Sequence, residues 1–73
     1  MADTKQFGRL ARDHRERLGL TIAKVAELCE LSEHGYSNIE LGDSDPKLSH
    51  AMAIAAVLKI DMGELNTVVL ERA

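Results

Sequence analysis

The sequence predicts one small all-α domain, and three observations support that prediction. The chain has 73 residues, and a domain of about this size buries only about 60% of the surface of its unfolded chain, which is one modest core. Apolar side chains recur at helical spacings between glycines that divide the chain. No stretch alternates with period two for long enough to indicate a strand.

Composition narrows the class of protein. Apolar residues make up 45% and charged residues 29% of the chain, which excludes a disordered polypeptide. No apolar run approaches the roughly 18 residues of a membrane span, and the N-terminus lacks a signal-peptide core. We therefore expect a cytoplasmic protein without a membrane partner, organised as a single domain over residues 1–73.

The cysteine and histidine residues of the sequence do not indicate an enzyme active site or a metal site. The chain has one cysteine, Cys29, which we expect to be a small core residue and which excludes an internal disulfide. The three histidines, His14, His34 and His50, stand at no usual metal-ligand spacing. We expect no catalytic activity, no cofactor and no metal.

A first helix is predicted by a stripe of residues at helical spacing: Phe7, Leu10, Ala11, His14 and Leu18. Asp3 or Thr4 can cap its start, and Gly19 suits the left-handed position after its last turn. Because His14 lies on the apolar stripe, we expect it to be packed and hydrogen-bonded.

Two shorter helices follow. Thr21 is the predicted N-cap of a second helix at about 22–29, with an inner face formed by Val25, Ala26, Leu28 and Cys29. Ser32 is the predicted N-cap of a third helix over 33–41, which buries Tyr36 and Ile39.

The second half of the chain predicts two more helices. Residues 42–46 form a loop by composition. A fourth helix is predicted from Leu48, Ala51, Met52, Ala55 and Leu58. Asp61 and Glu64 resemble a capping box that opens a fifth helix at about 62–71. This last segment is more apolar than one face needs. It either packs on the core or forms a dimer seam through Leu65, Val68 and Val69, and we expect a homodimer.

The second and third helices have the spacing of a helix-turn-helix at about 21–41. Ala26 is small enough for the point where the helices cross, and Val25, Leu31, Tyr36 and Ile39 can lock them together. The N-terminal, solvent-facing positions of the third helix are then candidates for base contacts: Ser32, Glu33, His34, Ser37 and Asn38. A carboxylate such as Glu33 accepts from a cytosine amino group, and Asn38 can reach adenine.

Residues 7–65 resemble the Cro/CI-type (XRE) helix-turn-helix family of phage repressors and bacterial regulators. The matching positions are Arg15, Gly19-Leu20-Thr21, Val25-Ala26, Leu31-Ser32, Ile39-Glu40-x-Gly42, Pro46, Leu48, Ala55-x-x-Leu58-x-Ile60 and Glu64-Leu65. The resemblance implies a compact five-helix lambda-repressor-like domain and a regulator of transcription that binds double-stranded DNA as a dimer on a palindromic operator. It also implies a structural ion pair between Arg15 and Glu40.

The chain departs from that family where DNA phosphates are bound. Ile22 occupies the slot where many relatives have glutamine, and Leu41 stands where an Arg or Lys is common. The net charge is −3, and no Lys or Arg occurs between Lys24 and Lys47. The candidates for phosphate contacts are Thr21, Arg9, Arg12 and Lys47, although the arginines can equally belong to a solvated face paired with acids such as Glu16.

The segment between Lys24 and Lys47, in which every charged side chain is acidic, supports an alternative interpretation. A helix-turn-helix fold can serve as a protein–protein interaction module or antirepressor with weak or no DNA binding, and its partner would then be a protein. The two hypotheses differ in salt dependence, because affinity for DNA falls steeply with salt when phosphates are contacted.

Overall fold

A computed structural model describes residues 4–61, and over that range the chain forms four α-helices and no strand. They are α1 (Thr4–Arg17), α2 (Ile22–Leu28), α3 (Glu33–Leu41) and α4 (Leu48–Leu58). The all-helical prediction is confirmed for this range. Four helices are found where five were expected for the whole chain, and the predicted fifth, at about 62–71, falls outside the described residues.

Side-chain caps set the start of α2 and α3. The Thr21 hydroxyl accepts a hydrogen bond from the Lys24 backbone N–H at 3.0 Å, and the Ser32 hydroxyl accepts one from Gly35 N–H at 3.0 Å. Each satisfies a backbone donor that the helix itself cannot, a contribution of about 1 kcal/mol. Both predicted N-caps are confirmed.

Left-handed residues end the helices. Gly19 follows α1 with φ +70°, as predicted, and Gly42 ends α3 with φ +82°. The turn between α2 and α3 places Glu30 at φ +59°. Leu31 then donates its N–H to the Ala26 carbonyl at 2.8 Å, which closes the turn tightly enough for α3 to start against α2.

The core is built from side chains of all four helices. Its largest fully buried side chains are Tyr36, Phe7, Ile54, Leu58 and Val25. Cys29 is buried with them, as predicted. His14 links α1 to the end of α4, with its Nδ1 3.2 Å from the Leu58 carbonyl oxygen. The prediction of a packed, hydrogen-bonded histidine is confirmed.

The prediction that Leu28 lies on the inner face of α2 is wrong, because this residue is 50% exposed. In α4 the inner face is formed by Ala51, Ile54, Ala55 and Leu58, and two residues of the apolar stripe that predicted this helix, Leu48 and Met52, are half or more exposed. The reason lies in the composition of α4, which carries no charged residue. Without a polar stripe, its periodicity does not define which face is buried. Leu18, also on a predicted stripe, follows the last residue of α1 and is exposed.

Gly8 lets α1 and α3 approach backbone to backbone. A Cβ at this position would lie 2.5 Å from the Glu40 carbonyl oxygen and closer still to that of Ile39. No side chain larger than hydrogen fits there. This approach holds the second half of α3 against α1.

Candidate nucleic-acid interface

The outer face of α3 brings the base-contact candidates together. Glu33, His34, Ser37 and Asn38 recur at spacings of one, three and four, which places them on the same side of a helix. Ser32, Glu33 and His34 are exposed, and Ser37 and Asn38 are half-buried. The opposite side of α3 carries Tyr36 and Ile39, which are buried in the core. The candidates therefore form one continuous surface, which we call the α3 outer face.

The polar groups of this face are available to a ligand. Within the described part of the chain, the side chains of Glu33, His34, Ser37 and Asn38 make no hydrogen bond or ion pair. Ser32 is different, because its hydroxyl oxygen already caps α3. Its hydroxyl hydrogen can still be donated, since a hydroxyl carries one donor as well as two acceptor lone pairs.

A buried ion pair fixes α3 on α1. Arg15 Nε lies 2.7 Å from Glu40 Oε2, and Arg15 Nη2 lies 3.1 Å from Glu40 Oε1. The third donor, Nη1, binds the Leu20 carbonyl at 3.0 Å. The hydrogen bond to Glu40 raises the pKa of Arg15. Three of the five guanidinium N–H donors of Arg15 are therefore used inside the protein.

Tyr36 lies beside this pair with an unsatisfied hydroxyl. Its side chain is fully buried, and its phenol oxygen has no hydrogen-bond partner among the described residues. Burial raises the pKa of Tyr36, and the nearby Glu40 carboxylate raises it further. The phenol therefore stays neutral in the folded protein.

The exposed cations differ in how they are engaged. Three form local pairs on their own helices: Arg12 with Glu16 at 3.3 Å, Arg17 with Asp13 at 2.6 Å, and Lys24 with Glu27 at 3.4 Å. Arg9 and Lys47 form no ion pair with any described residue. Lys47 stands at the N-cap position of α4 without a side-chain cap bond. Of the four candidates for phosphate contacts, Thr21 caps α2 and Arg12 is paired with Glu16. The other two, Arg9 and Lys47, have no ion-pair partner among the described residues.

An open recess adjoins the α3 outer face. It has a volume of about 170 Å³ and lies between α1, α2 and α3. Its lining is Arg12, Arg15, Ile22, Ser37, Glu40 and Leu41. The sequence did not predict this recess, because its walls come from three helices whose residues are remote along the chain.

Comparison with protein families identifies this arrangement. A family model described as a helix-turn-helix domain matches residues 6–67, most of the 73-residue chain. The chain belongs to the helix-turn-helix domain family. The match confirms the resemblance found in the sequence and is consistent with a DNA-binding protein of the XRE/Cro type. Searches of curated proteins and of solved structures returned no match.

Within this helix-turn-helix domain, α2 and α3 are the two helices joined by the turn, and α3 is the second of them. The described residues contain no group of three or more His, Cys, Asp or Glu side chains placed to hold a metal ion. None of the helices between residues 4 and 61 is both long and apolar enough to cross a membrane. Burial raises the pKa of the Cys29 thiol, which keeps it protonated.

Proposed function

We propose that the protein is a sequence-specific DNA-binding transcriptional regulator that places the N-terminal half of α3 in the major groove. The observation that supports this most is the α3 outer face itself. It presents a carboxylate, an imidazole, a hydroxyl and an amide on the exposed side of a helix whose other side is locked into the core. These are groups that read base edges, and a helix-turn-helix presents them in this way.

The chemistry of this face indicates which bases it reads. Glu33 accepts from the N4 amino group of cytosine, and Asn38 forms two bonds with the N6 and N7 atoms of adenine. No Lys or Arg occurs on α3, so the usual arginine contact to guanine is absent from this helix. We infer that each half-site contains a cytosine read by Glu33 and an adenine read by Asn38.

We propose further that the protein binds as a homodimer on a palindromic operator. A twofold dimer places two reading helices about 34 Å apart, in successive major grooves. The uncharged helix α4 supports a dimer, because Leu48 and Met52, one turn apart, are 60% and 52% exposed there, and exposed apolar patches often mark protein–protein contacts. The proposed seam residues Leu65, Val68 and Val69 follow α4 in the chain and lie outside the described residues.

Phosphate binding would come from Thr21, Arg9, Arg12 and Lys47, and it would make affinity steeply dependent on salt. The proposal needs no cofactor and no catalytic step. It places the protein in the same compartment as the DNA that it regulates.

Selection from randomised duplex DNA with the purified protein, at low and moderate salt, tests this function. We expect an enriched palindrome, and analytical ultracentrifugation of the free protein should give the mass of a dimer. An enriched sequence without twofold symmetry would overturn the dimer and leave the reading helix in place. Absence of enrichment at both salts would overturn the DNA-binding proposal.

The acidic segment between Lys24 and Lys47 supports a second candidate function, that of a protein-binding module. From residue 25 to 46 the only charged side chains are acidic, and Glu27, Glu30, Glu33 and Asp43 are exposed. Such a surface repels DNA phosphates and attracts a basic protein. If it is the functional surface, the protein should bind duplex DNA weakly at every salt concentration.

A further inference from the structure

We propose that the recess between α1, α2 and α3 binds a small apolar monocarboxylate, and that this ligand weakens the binding of DNA. The carboxylate pairs with Arg12, and the apolar part of the ligand lies between Ile22 and Leu41. The ligand site does not depend on the proposed function, and only its effect on DNA rests on that function.

The charges that line the recess favour a ligand with a single negative charge. Two cations and one carboxylate line it: Arg12, Arg15 and Glu40. Arg15 and Glu40 neutralise each other in a pair whose side chains are only 13% and 5% exposed. The remaining charge is that of Arg12, whose side chain is 61% exposed. A guanidinium binds a carboxylate through two parallel hydrogen bonds.

Arg12 can accept this ligand at small cost. Its partner Glu16 lies at 3.3 Å, is itself 56% exposed and does not line the recess. Pairs between exposed side chains contribute little to stability, because water screens them. A ligand carboxylate inside the recess gains a further donor, since the Ser37 hydroxyl has no hydrogen-bond partner among the described residues.

The other walls and the size of the recess favour an apolar ligand body. Ile22 is the first residue of α2, and Leu41 is the last of α3. Leu41 is 61% exposed, so a ligand that covers it removes apolar surface from water. The volume of about 170 Å³ is close to that of a known protein cavity of about 150 Å³ that holds benzene. One ring therefore fits, whereas inorganic phosphate would leave both apolar walls uncovered.

The ligand would affect DNA binding through Ser37, which belongs both to the α3 outer face and to the lining of the recess. The major groove is about 12 Å wide, and a helix with its side chains is about 10–12 Å across. A ligand beside Ser37 widens the element that must enter the groove. Its carboxylate also repels the DNA phosphates. The affinity for DNA should therefore fall as the recess fills.

Benzoate is the probe, and amide NMR spectra of the isotope-labelled protein without DNA are the measurement. We expect benzoate in the millimolar range to shift the backbone amides of Ile22, Ser37 and Leu41. Benzamide has the ring without the charge, and acetate has the charge without the ring, so each should bind about tenfold more weakly. Equal shifts with acetate or inorganic phosphate would mean an adventitious ion only. That result, or no shift with benzoate, would overturn the proposal.

Substitutions identify the side chains that bind the ligand. Arg12→Gln and Leu41→Ser should each weaken benzoate binding about tenfold. Arg17→Gln is the matched control, because Arg17 also forms an exposed pair on α1, with Asp13, and does not line the recess. It should leave the affinity for benzoate unchanged. Equal losses in the two arginine variants would show attraction by general charge and overturn the site. Thermal melting checks that every variant is folded.

A fluorescein-labelled duplex of the selected sequence tests the effect on DNA. Benzoate should weaken binding more than acetate does at equal ionic strength, and Leu41→Ser should abolish that difference. Equal effects of the two salts on the unmutated protein would overturn the regulatory role. The outcomes separate this inference from the proposed function. If the function fails, no duplex is bound although the amide shifts with benzoate remain, whereas if this inference fails the duplex is still bound and the shifts are absent.

Discussion

Arg15 and Glu40 are joined by two hydrogen bonds in a nearly buried ion pair that connects α1 to α3. Arg15 also binds the carbonyl of Leu20, immediately before the N-cap of α2. One guanidinium therefore sets the position of α3 relative to both α1 and the start of α2. The direction in which the α3 outer face points depends on this pair.

Replacing Glu40 with Ala should lower the free energy of unfolding by about 3 kcal/mol, because it leaves a buried charge without its partner. Denaturant unfolding followed by circular dichroism measures the change. Glu16→Ala is the control, since it breaks an exposed pair of the same kind and should change stability by less than about 1 kcal/mol. Equal effects of the two substitutions would contradict the structural role of Glu40.

Gly8→Ala should also destabilise the fold, against the trend of helix propensity. Alanine is normally favoured over glycine inside a helix by about 1 kcal/mol. Here its Cβ would press on the carbonyl oxygens of Ile39 and Glu40, which are backbone atoms that cannot turn aside. We expect a net loss of about 1–3 kcal/mol, the usual cost of overpacking, measured by thermal unfolding.

Gly35→Ala provides the comparison for Gly8. A Cβ at position 35 would meet only the Ser32 hydroxyl, at 3.0 Å. A side-chain hydroxyl can shift slightly, and the gain in propensity offsets any weakening of the cap. The free energy of unfolding should therefore stay within about 1 kcal/mol of the unmutated protein. A gain in stability from Gly8→Ala would show that α1 and α3 do not touch as described.

Tyr36→Phe should stabilise the protein slightly. The phenol oxygen is buried without a hydrogen-bond partner among the described residues, and leaving such a group unsatisfied costs about 1–3 kcal/mol. Phenylalanine keeps the ring and removes the hydroxyl, so we expect a gain of about 1 kcal/mol. A clear loss of stability would mean that the hydroxyl donates to the nearby Glu40 carboxylate in solution.

The Tyr36 phenol should ionise only at a pH above that of an exposed tyrosine. It is the one tyrosine in the chain, so phenolate absorbance reports it alone. Burial raises its pKa above the ordinary value of 10.0, and the folded state therefore holds the proton more tightly than the unfolded state. The resulting stability is fully present below pH 10 and declines as the pH rises above it. Phenolate absorbance should rise only as circular dichroism reports unfolding. Ionisation near pH 10 with the fold intact would contradict the burial of Tyr36.

The sequence predicted those features that depend on neighbouring residues. Thr21 and Ser32 cap their helices by binding a backbone N–H three residues on, and Gly19 needs only its own dihedral freedom. The ion pair of Arg15 with Glu40 spans 25 residues, and it was expected only through a family resemblance.

Features that depend on how the helices meet were not predictable from local patterns. The apolar spacing of α4 did not separate its buried residues from the exposed Leu48 and Met52, because a helix without charged residues has no polar side to orient it. The close approach at Gly8 and the recess beside Ser37 both require knowledge of the angle at which α1 crosses α3. The close approach and the recess cannot be recognised from the spacing of residues within a single helix.

Asn38 and Lys47 should separate base reading from phosphate binding. Asn38→Ala removes an amide from the α3 outer face, and we expect loss of discrimination of about 1–3 kcal/mol at one position of each half-site. Lys47→Ala removes an exposed cation before α4, and it should weaken binding to all sequences about equally and reduce the salt slope by about 1.

The two substitutions are best measured together, by titration against a panel of duplexes that carry each single base change. Asn38→Ala should flatten the profile at one position and leave the salt slope as it was. Lys47→Ala should keep the shape of the profile and shift it to lower affinity. If Asn38→Ala instead weakens every duplex equally, the amide contacts the backbone. The bases would then be read by the remaining groups of α3, of which Glu33, a carboxylate that accepts from cytosine, is the nearest to the N-terminus of the helix.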